Sequence, residues 1–90
     1  MLIRVVRSGG FAGISRRAEV DTGGQPDAAS WHRLAETALG DGERPDPRAR
    51  LQADRFQYRI EVDGQILELG ESQLSEAQRE LVERVLASGG

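Results

Sequence analysis

The side chains that most often bind metals are scarce in this sequence. His32 is the only histidine, and cysteine is absent. A protein zinc site usually needs three or four nitrogen or sulfur ligands, and no cluster of carboxylates stands at ligand spacing beside His32. The sequence therefore predicts no metal and no cofactor, and it places His32 at the surface of a helix, next to Trp31.

Nucleophilic catalysis and phosphate binding also lack their usual patterns. Ser30 is the only serine close to His32 in the sequence, and residues two positions apart on a helix point to different sides. The glycine-rich residues 8–13 include no P-loop lysine and do not lead from a strand into a helix. Catalysis by paired carboxylates stays open, but the carboxylates alternate with arginines as on a solvated surface. A binding protein is favoured over an enzyme.

Two segments are candidates for contact with a partner. The first contains one large aromatic among small residues and consists of Ser8, Gly9, Gly10, Phe11, Ala12 and Gly13. Phe11 either contacts a partner or folds back over the end of the core. The second segment, residues 40–53, is rich in proline, glycine and arginine. A loop of this length in a small domain is either functional or disordered.

Alternating apolar residues predict four strands in two hairpins. Ile3 and Val5 share one face of the first strand, and residues 14–20 alternate in the same way, so these strands pair around residues 8–13. Residues 56–62 alternate strictly between apolar and polar. Asp63-Gly64 is a strong hairpin signal, and residues 66–69 form the returning strand.

A helix follows each hairpin. Asp27 is the expected N-cap of the first helix and Gly40 its C-terminal stop. The second helix opens with a capping box over Ser75-Glu76-Ala77-Gln78 and ends near Gly89. The apolar positions of the two helices, each set on one side, are Trp31, Leu34, Ala35, Ala38 and Leu39, and then Leu81, Val82, Val85 and Leu86.

The predicted fold is therefore α+β, with the order ββαββα in a single domain over residues 1–90. A four-stranded, mostly antiparallel sheet would carry both helices on one face. Phe56 and Tyr58 fall on the covered face, which favours core packing over base stacking. The open face would carry the charged and polar side chains Arg17, Glu19, Arg55, Gln57, Arg59 and Glu61.

Composition limits the partners and the compartment. The net charge of −3 speaks against nucleic acid, and all twelve basic residues are arginine, as is typical of a GC-rich bacterial genome. No apolar stretch approaches the roughly 20 residues that cross a bilayer, so no membrane partner is expected. The N-terminus lacks the pattern of a signal peptide, which predicts a cytoplasmic protein. We expect a monomer.

Four stretches of the chain together resemble the emfourin family of small bacterial inhibitors of thermolysin-like (M4) zinc metallopeptidases. They are RSGGFAGI after the first strand, SRRAEVDT, DRFQYRIEVDG and the closing helix. The resemblance spans nearly the whole chain and is most specific over residues 8–14 and 54–58. Between residues 22 and 53 only the general pattern matches.

The resemblance implies an inhibitor that reversibly occludes the active-site cleft of a zinc protease from the same organism. Such proteases favour a large apolar side chain just after the cleaved bond, so Phe11 would be the anchor and residues 8–13 the contact segment. Without cysteine, occlusion or a carboxylate or carbonyl near the zinc is expected rather than a thiolate ligand. The alternative is a non-inhibitory cytoplasmic interaction or regulatory domain.

Overall fold

The computed structural model describes residues 1–9, 13, 15–43 and 56–88. Its strands and helices follow the predicted ββαββα order, and short 3₁₀ turns lie ahead of both helices. In chain order the elements are β1 (Leu2–Gly9), β2 (Arg16–Asp21), α1 (Ala28–Asp41), β3 (Phe56–Val62), β4 (Gln65–Gly70) and α2 (Glu76–Ser88). The parts of the predicted loops at residues 10–12 and 44–53, and Arg55 of the predicted open face, lie outside the described residues.

All three strand pairings are antiparallel, and the order across the sheet is β2-β1-β3-β4. The two hairpins are joined through their first strands, so β1 and β3 occupy the centre. Val5 pairs with Ala18 on one side and with Ile60 on the other. The two halves of the chain therefore share one continuous sheet.

One face of this sheet is buried under both helices, as predicted. Alternate strand residues and the apolar sides of the helices form one core cluster. The buried apolar residues are Ile3, Val5, Ala18, Val20, Trp31, Ala35, Ala38, Tyr58, Ile60, Val62, Leu69, Leu81, Val82, Val85 and Leu86. Phe56 is partly buried against the same cluster, which confirms its assignment, with Tyr58, to the covered face.

The two ends of α1 differ from the prediction. Asp27 occupies the N-cap position without a side-chain cap hydrogen bond. Its carboxylate instead accepts hydrogen bonds from Trp31 Nε1 at 3.1 Å and Arg84 Nη2 at 3.0 Å. The helix also continues through Gly40 and ends at Asp41, with Gly42 as the C-cap. The prediction of Gly40 as the stop was therefore wrong by two residues.

The predicted capping box of α2 is present. The amide N–H of Ser75 donates to Gln78 Oε1 at 2.8 Å, and the amide N–H of Gln78 donates to Ser75 Oγ at 3.1 Å. Gln78 is fully buried, and its Nε2 donates to the carbonyls of Ala38 and Gly42. This one side chain therefore joins the start of α2 to the end of α1.

His32 is half-buried rather than at the surface. Its Nε2 lies 2.8 Å from Thr22 Oγ1, and that buried hydroxyl also lies 3.2 Å from the carbonyl oxygen of Met1. His32 thus helps to hold the turn after β2 against the start of the chain. Within the described ranges, neither helix has the length and apolarity needed to span a membrane.

Candidate functional site

The structure describes three of the six residues predicted to contact a partner. Ser8 and Gly9 end β1, and Gly13 is exposed; Gly10, Phe11 and Ala12 lie outside the described residues. Gly9 and Gly13 have φ values of 93° and 64°, which side chains with a Cβ rarely adopt. A Cβ on Gly13 would meet nothing within 4 Å. Backbone conformation, and not crowding, therefore favours glycine at this position.

The two candidate contact segments border the same end of the sheet. Gly9, the last described residue before residues 10–12, pairs with Phe56, the first described residue after residues 44–55. Ser8 pairs with Gln57 one position further into the sheet. We call the described residues Ser8, Gly9, Gly13, Phe56 and Gln57 the loop edge.

Packing around the Phe56 ring supports the loop edge on the covered face of the sheet. The guanidinium carbon of Arg7 lies 4.5 Å from the centre of the Phe56 ring, a distance typical of a cation–π contact. The Phe56 ring meets Tyr58 edge to face, with ring centres 6.5 Å apart and an interplanar angle of 63°. Since Tyr58 belongs to the core, the start of β3 is fixed to the body of the protein.

The start of β2 is fixed through a different contact. Arg16 Nη2 donates a hydrogen bond of 2.7 Å to the carbonyl oxygen of Leu86. That carbonyl lies in the last turn of α2, where helix carbonyls lack partners within the helix. The strand that follows residues 10–14 is therefore tied to the helical layer as well as to β1.

Charged side chains form rows across the open face of the sheet. Arg4 lies between Glu19 and Glu61 in the strand register, at 2.7 Å and 3.3 Å from their carboxylates. The hydrogen bond and charge of Glu19, and then the charge of Glu61, raise the pKa of Arg4. The positive charge of Arg4 is therefore already paired within this row.

The next row towards the loop edge contains Arg17, Val6 and Arg59, since Val6 pairs with both arginines. These three residues, with Arg4 and the two glutamates beside it, line a groove on the open face. The prediction that Arg17, Glu19, Gln57, Arg59 and Glu61 lie on this face is confirmed.

The chemical groups at the loop edge can make hydrogen bonds and apolar contacts. They are backbone amides, a hydroxyl, a carboxamide and an aromatic ring. Among residues 1–9, 13, 15–43 and 56–88, no three His, Asp or Glu side chains come close enough together to hold a metal ion. The arrangement supports recognition of another molecule by shape and hydrogen bonding.

The sequence alone shows the two contact segments separately and does not show that they border one edge. That relationship depends on the pairing of β1 with β3, which are far apart in the chain. The contact of Arg7 with Phe56 is a further feature that only the structure shows. The available signal was the placement of Arg7 two positions after Val5, on the same face of β1.

The chain is similar to a known protein family. The family model described as Emfourin matches residues 5–86, a range that reaches from β1 into α2 and includes both candidate contact segments. The family is known as one of metallopeptidase inhibitors. No curated protein sequence and no solved structure matches the chain significantly.

Proposed function

Because the chain belongs to the emfourin family, we propose that it inhibits a thermolysin-like (M4) zinc metallopeptidase by reversibly occluding the active-site cleft. The observation that carries this proposal is the family match, which extends from within β1 to the last turn of α2. The geometry of the loop edge adds support, because it presents both candidate contact segments at one end of a small, firmly packed body.

Phe11 is the proposed anchor in the cleft. It lies between two glycines with positive φ, Gly9 and Gly13. Glycine permits a backbone path and a close approach that other residues do not. A large apolar side chain suits the pocket of thermolysin-like proteases that follows the cleaved bond, and aromatic residues commonly dominate the binding energy of interfaces.

The fixed surroundings of the loop edge favour tight binding. A contact segment whose flanking residues are already ordered loses less conformational entropy when it binds. Gly9 is paired with β3, and Phe56 packs between Arg7 and Tyr58. We infer that inhibition uses a surface whose base is rigid before the protease arrives.

The test is titration of the purified protein into thermolysin and into any M4 peptidase of its own organism, with cleavage of a peptide substrate as the readout. We expect stoichiometric inhibition. Added zinc should not relieve it, because cleft occlusion does not remove the metal from the enzyme. A folded protein that leaves its own organism's enzyme fully active would overturn the proposal and leave a non-inhibitory interaction domain.

A further inference from the structure

The open face of the sheet contains two arginines with no partner within the protein's described residues. Arg17 and Arg59 are both exposed, and neither forms an ion pair or side-chain hydrogen bond within residues 1–9, 13, 15–43 and 56–88. Glu68 lies opposite Arg59 in the register of β3 and β4, yet no salt bridge joins their side chains. These guanidinium groups are available to another molecule.

Arg4, on the same face of the sheet, is paired where Arg17 and Arg59 are not. One row further from the loop edge, Arg4 is held by two glutamates. On the described part of the open face, the arginines without an ion pair are therefore Arg17 and Arg59 of the row Arg17–Val6–Arg59, which Glu68 continues on β4. The protein as a whole has a net charge of −3, so an acidic partner would be attracted by this row and not by the overall charge.

Each arginine of the row can bind one carboxylate. Neighbouring strands are about 4.8 Å apart, so Arg17 and Arg59, on either side of β1, start from backbone positions about 10 Å apart. A guanidinium group binds a carboxylate through two parallel hydrogen bonds. Val6, half-buried between the arginines, provides an apolar contact at the middle of the row.

We propose that the row Arg17–Val6–Arg59 binds an acidic surface segment of the target metallopeptidase beside its cleft. The identity of this partner rests on the proposed function. Two register pairs, Arg7–Tyr58 and Ser8–Gln57, separate the row from the end of the sheet at Gly9 and Phe56, and only the second pair lies on the open face. A protease seated on the loop edge therefore extends over the groove that the row lines, and carboxylates there speed its association.

The test compares Arg17→Gln/Arg59→Gln with wild-type protein in stopped-flow association with the M4 peptidase of its own organism. Glutamine keeps polarity while removing both charges. Arg33→Gln/Arg79→Gln is the matched control, because it removes the same number of charges from exposed arginines on α1 and α2, away from the open sheet face. Thermal unfolding of each variant checks that the fold is intact.

At about 0.02 M NaCl we expect the double variant to associate roughly tenfold more slowly than wild type, because local charge complementarity acts mainly on association rates. At about 0.5 M NaCl, where screening is strong, the difference should shrink to less than twofold. The control should match wild type at both salt concentrations. Equal association of wild type and the double variant at low salt, with inhibition intact, overturns this inference and leaves the proposed function standing.

If the wild-type protein inhibits no M4 peptidase, the proposed function fails and a second probe decides the chemistry of the row. The probe is a capped hexaglutamate peptide, with hexalysine as its control, titrated while the arginine Nε–Hε NMR signals are recorded. Shifts confined to Arg17 and Arg59, and absent with hexalysine, support an acidic partner of another kind. Shifts spread over all arginines, or no shifts, overturn the inference.

Discussion

The guanidinium group of Arg7 stacks over the ring of Phe56, 4.5 Å from its centre. The contact joins β1 to β3 directly beside the point where the two candidate contact segments border the sheet. It links a charged side chain near the end of the first strand to the residue that begins the third. The loop edge is therefore supported by side-chain packing as well as by strand pairing.

Replacing Arg7 by methionine tests that support. Methionine keeps the flexible apolar stem and removes the cation, so the unfolding free energy should fall by about 0.5–1 kcal/mol. Urea unfolding followed by circular dichroism measures the change. Arg33→Met on the exposed side of α1 serves as the control and should stay within about 0.5 kcal/mol of wild type. Equal effects of the two substitutions would contradict a specific contact with Phe56.

Replacing Phe11 by alanine tests its role as an anchor. The inhibition constant should rise roughly 30-fold, equivalent to about 2 kcal/mol of binding free energy, as for an aromatic residue at the centre of an interface. The melting temperature should stay unchanged, because an anchor contributes to binding and not to the core. Steady-state inhibition and thermal unfolding on the same samples give both values.

Phe11→Leu is the matched control for that experiment, since leucine keeps a large apolar side chain. It should retain most of the inhibition. A lower melting temperature in Phe11→Ala, with inhibition otherwise normal, would show instead that Phe11 packs on the core and leaves a cavity when truncated.

Two glycines at the end of α1 should respond to alanine in opposite directions. Gly40 is helical and exposed, and a Cβ there would meet nothing within 4 Å, so Gly40→Ala should stabilise the protein by about 0.5–1 kcal/mol. Gly42 has φ 61° and ψ −165°, a region almost restricted to glycine, so Gly42→Ala should cost about 1–3 kcal/mol. Chemical unfolding of both variants measures the two changes in unfolding free energy. The reverse order of stability would place the helix end at Gly40.

Substitution of Gln78 should destabilise the protein more than substitution of most other polar residues. Gln78→Ala removes the partners of the Ser75 amide and of the Ala38 and Gly42 carbonyls. Leaving one buried and two part-buried backbone groups without partners should lower the unfolding free energy by about 3 kcal/mol. Urea unfolding measures the loss, and Gln25→Ala, at an exposed position, is the control with little expected effect.

Gln78→Glu adds a pH dependence to the same test. The introduced carboxyl would still accept from the Ser75 amide, but once ionised it would face two carbonyl oxygens. Burial and those oxygens would raise its folded-state pKa above the unfolded value. The variant should therefore be closest to wild type below about pH 4 and lose stability as the pH rises through the raised pKa. A penalty independent of pH between about 4 and 7 would contradict this account.

Local patterns were enough to predict most of the elements. The strict alternation over residues 56–62 gave β3 and its buried face, and the Ser75–Gln78 spacing gave the start of α2. The end of α1 was misplaced, because Gly40 and Gly42 are both compatible with a helix stop until the backbone angles are known. The position of Asp27 before the first helical residue predicts a side-chain cap, but no such hydrogen bond forms.

The features that the sequence could not predict depend on residues far apart in the chain. The Asp27 carboxylate is engaged by Trp31 and by Arg84, and the second of these lies on the other helix. The strand order could not be predicted, because Ile3 and Val5 offer no feature that selects β3 over β4 as a neighbour. For the same reason the shared position of Gly9 and Phe56, on which the candidate site depends, was visible only in the folded chain.

The central position of β1 and β3 in the sheet affects how easily a protease can cleave these strands. A protease can cleave a strand only after the strand has separated locally from the sheet. The free energy of this local opening determines how often the strand is accessible. Val5 and Ile60 lie in strands that are paired on both sides, so their amides should exchange with solvent only when the whole sheet unfolds. The strand β1, which leads into residues 8–13, and the strand β3, which follows residues 40–53, should thus resist digestion by the enzyme that the protein is proposed to block.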